Sequence, residues 1–173
     1  MLLIWLVLCL FCASLLELII GSFGIALPLV VSTTMYFTVV AGWRRTLLPA
    51  LAVAVVVDVV LARAFPATPA TVLAAMLLAL FWKRRGDCQH AIGQVIPGAL
   101  CGLSSGLIMA LVLGAWLERW SFSLLLHTGV LLAHFVLGGV LLYPLLCCKL
   151  DNAAAAMNLP LYRNSQQSEE FRG

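Results

Sequence analysis

The chain has 173 residues, of which 64% are hydrophobic and only 10% are charged, and its mean hydropathy is +1.10. Soluble globular domains are about half apolar and about one quarter charged, so this composition excludes a water-soluble fold for most of the chain. The formal net charge of +3 does not indicate a nucleic-acid-binding protein. The basic residues lie in short clusters between apolar runs, a pattern that is typical of membrane topology.

The apolar runs are continuous and roughly twenty residues long, which is the length that a membrane-spanning helix needs. A transmembrane barrel would instead alternate polar and apolar residues along each strand. The sequence therefore predicts an all-α integral membrane protein. We expect a six-transmembrane-helix bundle in residues 1–150 and a polar cytoplasmic tail in residues 151–173. In chain order, the predicted spans are 2–22, 26–43, 46–64, 68–82, 92–116 and 122–148.

Basic residues are distributed unevenly between the two sides of the predicted bundle. The turn after the second span, the loop after the fourth span and the tail carry most of them, whereas Arg63 and Arg119 fall on the opposite side. Because basic loops remain in the cytoplasm, both termini are predicted to be cytoplasmic. Two basic loops set this topology, and for the cluster Lys83-Arg84-Arg85 we expect either that role alone, with solvated charges, or a contact with anionic lipids or a cytoplasmic partner. The residues of the two loops are Arg44, Arg45, Lys83, Arg84 and Arg85.

Four ionisable residues fall inside the predicted spans, although a buried carboxylate there costs several kcal/mol. At about 1.5 Å per residue, three of them share a level in the outer half of the membrane with two threonines, and the fourth lies two turns deeper. This predicts an intramembrane polar layer, made of Glu17, Thr33, Thr34, Asp58, His127 and His134.

Asp58 is predicted to face the bundle interior and to bond to other members of this layer. Arg63 is an alternative partner for Asp58. Five positions later on the same helix it would point away, and it could reach the outer headgroups instead. Two interpretations of Asp58 stay open. One is a structural contact between helices, and the other is a site for a substrate, a proton or a partner helix.

The fifth predicted span carries glycines at four-residue spacing. Small residues at this spacing allow another helix to approach closely. The stripe predicts either packing within the bundle or a docking face for a helix of a partner protein. Its residues are Gly98, Gly102, Gly106 and Gly114.

The sequence contains no catalytic motif, and two histidines seven residues apart without a third ligand make a weak metal site. No catalytic residue, metal or cofactor is therefore predicted. A membrane-embedded enzyme acting on a lipid would need a nucleophile or a metal constellation that the sequence does not show.

Several residues from the second to the fourth span follow a family pattern. They are Pro28, Tyr36, Gly42-Trp43-Arg44-Arg45, Asp58-Val59-Val60 and Lys83-Arg84-Arg85. In this order they resemble the bacterial rod-shape-determining protein MreD family, as do the six spans and the closing "YPLLCCKL". The chain departs from the family before the aspartate, where relatives usually have glycines and this chain has Ala52, Ala54 and Val56. It also has Pro66 and Pro69 where relatives usually have a glycine. It therefore resembles a divergent member.

The resemblance implies a non-enzymatic membrane scaffold of the cell-elongation machinery that synthesises lateral peptidoglycan, located in the bacterial inner membrane. The implied partners are membrane lipids, a bitopic MreC-like protein, an MreB-like actin filament, and the RodA and penicillin-binding synthases. The implied fold is similar to the substrate-binding subunits of energy-coupling-factor transporters. The alternative is a small multi-pass transporter, or such a substrate-binding subunit, with a ligand in the polar layer. A filled polar contact around Asp58 would favour the scaffold, and an open pocket would favour transport.

Overall fold

A computed structural model describes residues 1–23, 27–63, 65–85, 91–116 and 122–162. These residues form helices joined by turns and contain no β-strand, which confirms the predicted all-α class. The helices are α1 (Leu2–Ser22), α2 (Leu29–Ala41), α3 (Trp43–Val60), α4 (Ala67–Arg85), α5 (Ala91–Trp116) and α6 (Phe122–Ala156). Each one overlaps one of the predicted spans, with differences at the ends. Three segments within these helices are long and apolar enough to cross a membrane, namely Leu2–Ser22, Gly93–Val112 and His127–Ala156.

Helix α2 is the centre of the structure. It packs against α1, α3, α4, α5 and α6, and residues 29–39 are all buried. Two of its threonines, Thr34 and Thr38, are buried at low cost because their hydroxyl groups donate to the helix's own carbonyl oxygens. The Thr34 hydroxyl donates to the Val30 carbonyl at 2.8 Å, and the Thr38 hydroxyl donates to the Thr34 carbonyl at 2.7 Å.

The glycine stripe of α5 packs against α6. A Cβ atom at Gly98 would collide with the carbonyl oxygen of Gly139, and one at Gly102 would collide with the carbonyl oxygen of Phe135. A Cβ atom at Gly106 would lie 2.9 Å from a side-chain carbon of Leu132. For these three glycines the structure therefore shows packing within the protein, and the stripe is not a free docking face. Gly114 also belongs to α5, but its surroundings lie outside the described residues.

Helix α3 ends at Val60, earlier than the predicted residue 64, because a Schellman motif closes it. The Arg63 N–H donates to the Asp58 carbonyl at 3.0 Å, and the Ala62 N–H donates to the Val59 carbonyl at 3.1 Å. Ala62 adopts the left-handed conformation with φ 49°. This hydrogen-bond pair is the usual way to end a helix and reverse the chain.

Helix α6 continues past the predicted end of the sixth span, residue 148, to Ala156. The four alanines at 153–156 favour this extension because alanine has the highest helix propensity. A second Schellman motif then reverses the chain, with Asn158 at φ 53° and the Leu159 N–H donating to the Ala154 carbonyl at 2.9 Å. The predicted division between residues 150 and 151 therefore falls inside α6 and is corrected here. Tyr162 returns to the helices and is fully buried.

Candidate functional site

Asp58 closes the connection between α3 and α4. Its side chain is almost fully buried, and its Oδ1 atom accepts hydrogen bonds from the Arg63 guanidinium at 3.2 Å and from the Thr68 hydroxyl at 2.5 Å. The Thr68 N–H, in the first turn of α4, donates to Asp58 Oδ2 at 3.1 Å. The first N–H groups of a helix have no partner within the helix. The carboxylate supplies that partner and also interacts favourably with the positive end of the helix dipole.

Arg63 pairs with Asp58, which is the alternative partner that the sequence left open, whereas the expectation that it would point away is wrong. The prediction assumed a continuous helix, in which a residue five positions later would face another direction. Because α3 ends at Val60 and Ala62 is left-handed, the Arg63 side chain folds back over the helix end. It is 32% exposed, and it also donates to the Thr68 hydroxyl at 2.8 Å.

Glu17 stabilises the connection between α1 and α2 as Asp58 stabilises that between α3 and α4. Its Oε2 atom accepts the Val30 N–H, in the first turn of α2, at 2.8 Å. Helices α2 and α3 are joined through Gly42 alone and pack against each other, so they run in opposite directions. Glu17, beside the start of α2, and Asp58, near the end of α3, therefore lie at the same end of the molecule.

The other members of the predicted polar layer do not bond to Asp58. Thr33 is buried within α2, and the Thr34 hydroxyl is used by its own helix. His127 and His134 are both exposed on α6. The prediction that Asp58 bonds to these groups is therefore corrected: its hydrogen-bond partners are the two nearer residues, Arg63 and Thr68.

A second cluster, at the opposite end of α2, was not predicted from the sequence. Asp151 is buried, and its Oδ1 atom accepts the Tyr36 hydroxyl and the Tyr162 N–H, each at 2.8 Å. The Tyr143 hydroxyl donates to the Tyr162 hydroxyl at 3.1 Å. The rings of Tyr36 and Tyr162 stack with centroids 5.6 Å apart. The helix-forming alanines after Asp151 could have indicated that α6 continues past it, but no local signal indicates that its side chain is buried.

The basic residues lie at the same end of the molecule as the cluster around Asp151. Because a short connection joins α3 to α4, the start of α3 and the end of α4 lie at the same end. Arg44, Arg45 and Arg84 are exposed there, and Lys83 is partly buried. The Arg44 guanidinium lies 5.6 Å from the centre of the Trp43 ring, within range of a cation–π interaction. The side chain of Arg85 lies outside the described residues.

Within the described residues, every carboxylate side chain has the same role. Glu17, Asp58 and Asp151 each accept a main-chain N–H from a segment that follows in the chain, at Val30, Thr68 and Tyr162. These hydrogen bonds stabilise three chain reversals. Charge-assisted hydrogen bonds of this kind are stronger than those between neutral groups. In the same described ranges, no group of three or more His, Cys, Asp or Glu side chains is placed to hold a metal ion.

Comparisons of the chain with protein-family models, with curated proteins and with solved structures found no significant match.

Proposed function

We propose that the chain is a non-enzymatic membrane scaffold with six transmembrane helices and an MreD-like role in bacterial cell elongation. The observation that carries the proposal is the use of the intramembrane carboxylates. Glu17 Oε2 accepts the N–H of Val30, and Asp58 Oδ2 accepts the N–H of Thr68, each in the first turn of a neighbouring helix. A carboxylate that binds a substrate or carries a proton needs oxygens directed towards that ligand. A carboxylate whose hydrogen bonds go to neighbouring helices of the same protein fits a structural role instead.

The transporter alternative draws on the same groups and is the second candidate. Its supporting observation is the partial exposure of Arg63, whose side chain is 32% exposed beside the Asp58 carboxylate. An anionic solute would have to compete with Asp58 for this guanidinium. Because Asp58 is buried and also holds the start of α4, that competition would disturb the connection between α3 and α4. The scaffold therefore agrees better with the geometry.

The proposed location is the bacterial inner membrane, with both termini in the cytoplasm. Exposed Arg44, Arg45 and Arg84 support this orientation, and Lys149 on α6 is exposed at the same end. Basic residues that flank membrane helices favour the cytoplasmic side. The similarity of the bundle to substrate-binding subunits of energy-coupling-factor transporters rests on the family resemblance, as do the partners. These are an MreC-like bitopic protein, an MreB-like filament, RodA and a penicillin-binding synthase.

Depletion of the protein in its native host tests the proposal. A scaffold of lateral wall synthesis predicts that rod-shaped cells become round while nutrient requirements stay unchanged, and that re-expression of the full chain restores the rod. Cells that keep their shape but need an added nutrient would support the transporter instead. Co-purification of an MreC-like bitopic protein with the chain from detergent-solubilised membranes tests the partner assignment separately.

A further inference from the structure

The surface of α6 around His134 faces away from the protein. Val130, Ala133, His134, Leu137 and Leu141 are all exposed along one side of the helix, and we call them the His134 face. The opposite side of α6 is buried, with Phe135 and Tyr143 directed into the protein. The spacing of the exposed residues, three and four positions apart, is that of a single helical stripe.

His134 lies deep in the membrane on this face. It is twelve residues from the start of α6 and fifteen residues from Lys149, which corresponds to about 18 Å and about 22 Å along the helix. Because the hydrocarbon core is about 30 Å thick, the imidazole lies far from both headgroup layers. Ionisable residues in membrane helices are rare and almost always face a bundle interior or a cavity, so one on an outward face indicates a contact outside the chain.

The hydrogen bonding of His134 defines the chemistry of that contact. Its Nδ1 atom lies 2.8 Å from the carbonyl oxygen of Val130, one turn earlier. A carbonyl oxygen can only accept, so Nδ1 must carry the hydrogen. In the neutral imidazole, Nε2 is then a hydrogen-bond acceptor. Lipid tails offer no donor, and a polar group without a partner in hydrocarbon is costly.

We propose that the His134 face binds a membrane helix of a partner protein, and that this helix places a hydrogen-bond donor against His134 Nε2. The donor is a side chain such as an amide or a hydroxyl. A twofold contact between two copies of this chain does not supply it, because both Nε2 atoms would be acceptors. Close approach is possible beside His134, since its neighbour Ala133 is small and exposed. The inference does not depend on the cell-elongation assignment.

The test uses synthetic membrane helices and the full chain, reconstituted in phosphatidylcholine vesicles. Three polyleucine helices are compared, with leucine, glutamine or N,N-dimethylglutamine at the central position. Dimethylglutamine keeps the amide acceptor and lacks the donor. Association is measured by energy transfer between a dye on the protein and a dye on the peptide.

The glutamine helix is expected to bind about 3- to 30-fold more tightly than the other two, the range for one hydrogen bond between membrane helices. The preference should disappear in His134→Leu and persist in His134→Gln, which retains an acceptor. Both substitutions are on an exposed position, and unchanged thermal unfolding of the variants verifies that they fold. Equal binding of the three helices to the wild-type protein would overturn the proposal, and so would a preference that survives in His134→Leu. Energy transfer between copies of the protein that His134→Leu abolishes would also overturn it, by showing that the occupant is a second copy.

Discussion

Asp58 shows how one side chain can stabilise the connection between two helices. Its carboxylate holds the Arg63 guanidinium, the Thr68 hydroxyl and the Thr68 N–H at once. Removing one member of such a buried group leaves the others without partners, which costs more than the interaction itself contributes. The apolar sequence around Asp58 gave no hint of Thr68, because the contact depends on a chain reversal ten residues long.

A double-mutant cycle at Asp58 and Arg63 is expected to show strong coupling. Asp58→Ala should destabilise the protein by about 2–4 kcal/mol, since it removes both the helix cap and the ion pair. Arg63→Ala should cost less because Arg63 is partly exposed. The double variant should be more stable than additivity predicts by about 0.5–3 kcal/mol. Reversible unfolding with sodium dodecyl sulfate in mixed micelles measures the four stabilities. Strict additivity would show that the ion pair does not exist in the membrane.

At the scale of the helices, the sequence predicts well where each helix lies along the chain, but it predicts poorly the residue at which a helix ends. The start and end of α1 agree with the prediction, because apolar residues begin and stop there. The ends of α3 and α6 depend instead on Ala62 and Asn158 in the left-handed conformation. Asparagine is a recognised residue at this position, but alanine is unfavourable there, so composition could not indicate the turn after α3.

The contact between α5 and α6 is expected to tolerate no side chain at Gly102. Gly102→Ala should destabilise the protein by about 1–3 kcal/mol, because the added methyl group would press on the backbone of α6 at Phe135. Gly21→Ala is the matched control, since nothing lies within 4 Å of a Cβ there. It should leave stability unchanged or raise it by up to about 1 kcal/mol through helix propensity. The same unfolding assay applies. Equal effects of the two substitutions would show that α5 and α6 do not pack through the stripe.

At the scale of the whole molecule, buried carboxylates hold the two ends of α2. Glu17 accepts the N–H of Val30 at its start, and Asp151 accepts the hydroxyl of Tyr36 near its other end. Hydropathy identifies the membrane helices but not how the chain returns between them. Tyr162 lies beyond the last apolar run, so its burial against Tyr36 and Asp151 is a tertiary contact that no local pattern predicts.

Two truncations test the role of the returning segment. A chain that ends at Ala156 loses Tyr162 and leaves Asp151 with fewer partners, so it should be less stable by about 3 kcal/mol or more. A chain that ends at Tyr162 keeps every described contact and serves as the control. It should unfold at the same detergent concentration as the full chain. Equal stability of both truncated chains would contradict the contact between Tyr162 and Asp151.

The central claim is that the intramembrane carboxylates serve the fold of a scaffold and do not bind a ligand. Complementation of the depleted host with Glu17→Gln and Asp58→Asn tests it most directly, because each amide retains an oxygen that can accept the main-chain N–H, although Asp58→Asn also loses the ion pair with Arg63. With protein amounts in the membrane matched by immunoblot, both variants are expected to restore the rod shape as fully as the wild-type chain. A variant that reaches the wild-type amount, unfolds like the wild type and still fails to restore function would contradict the claim.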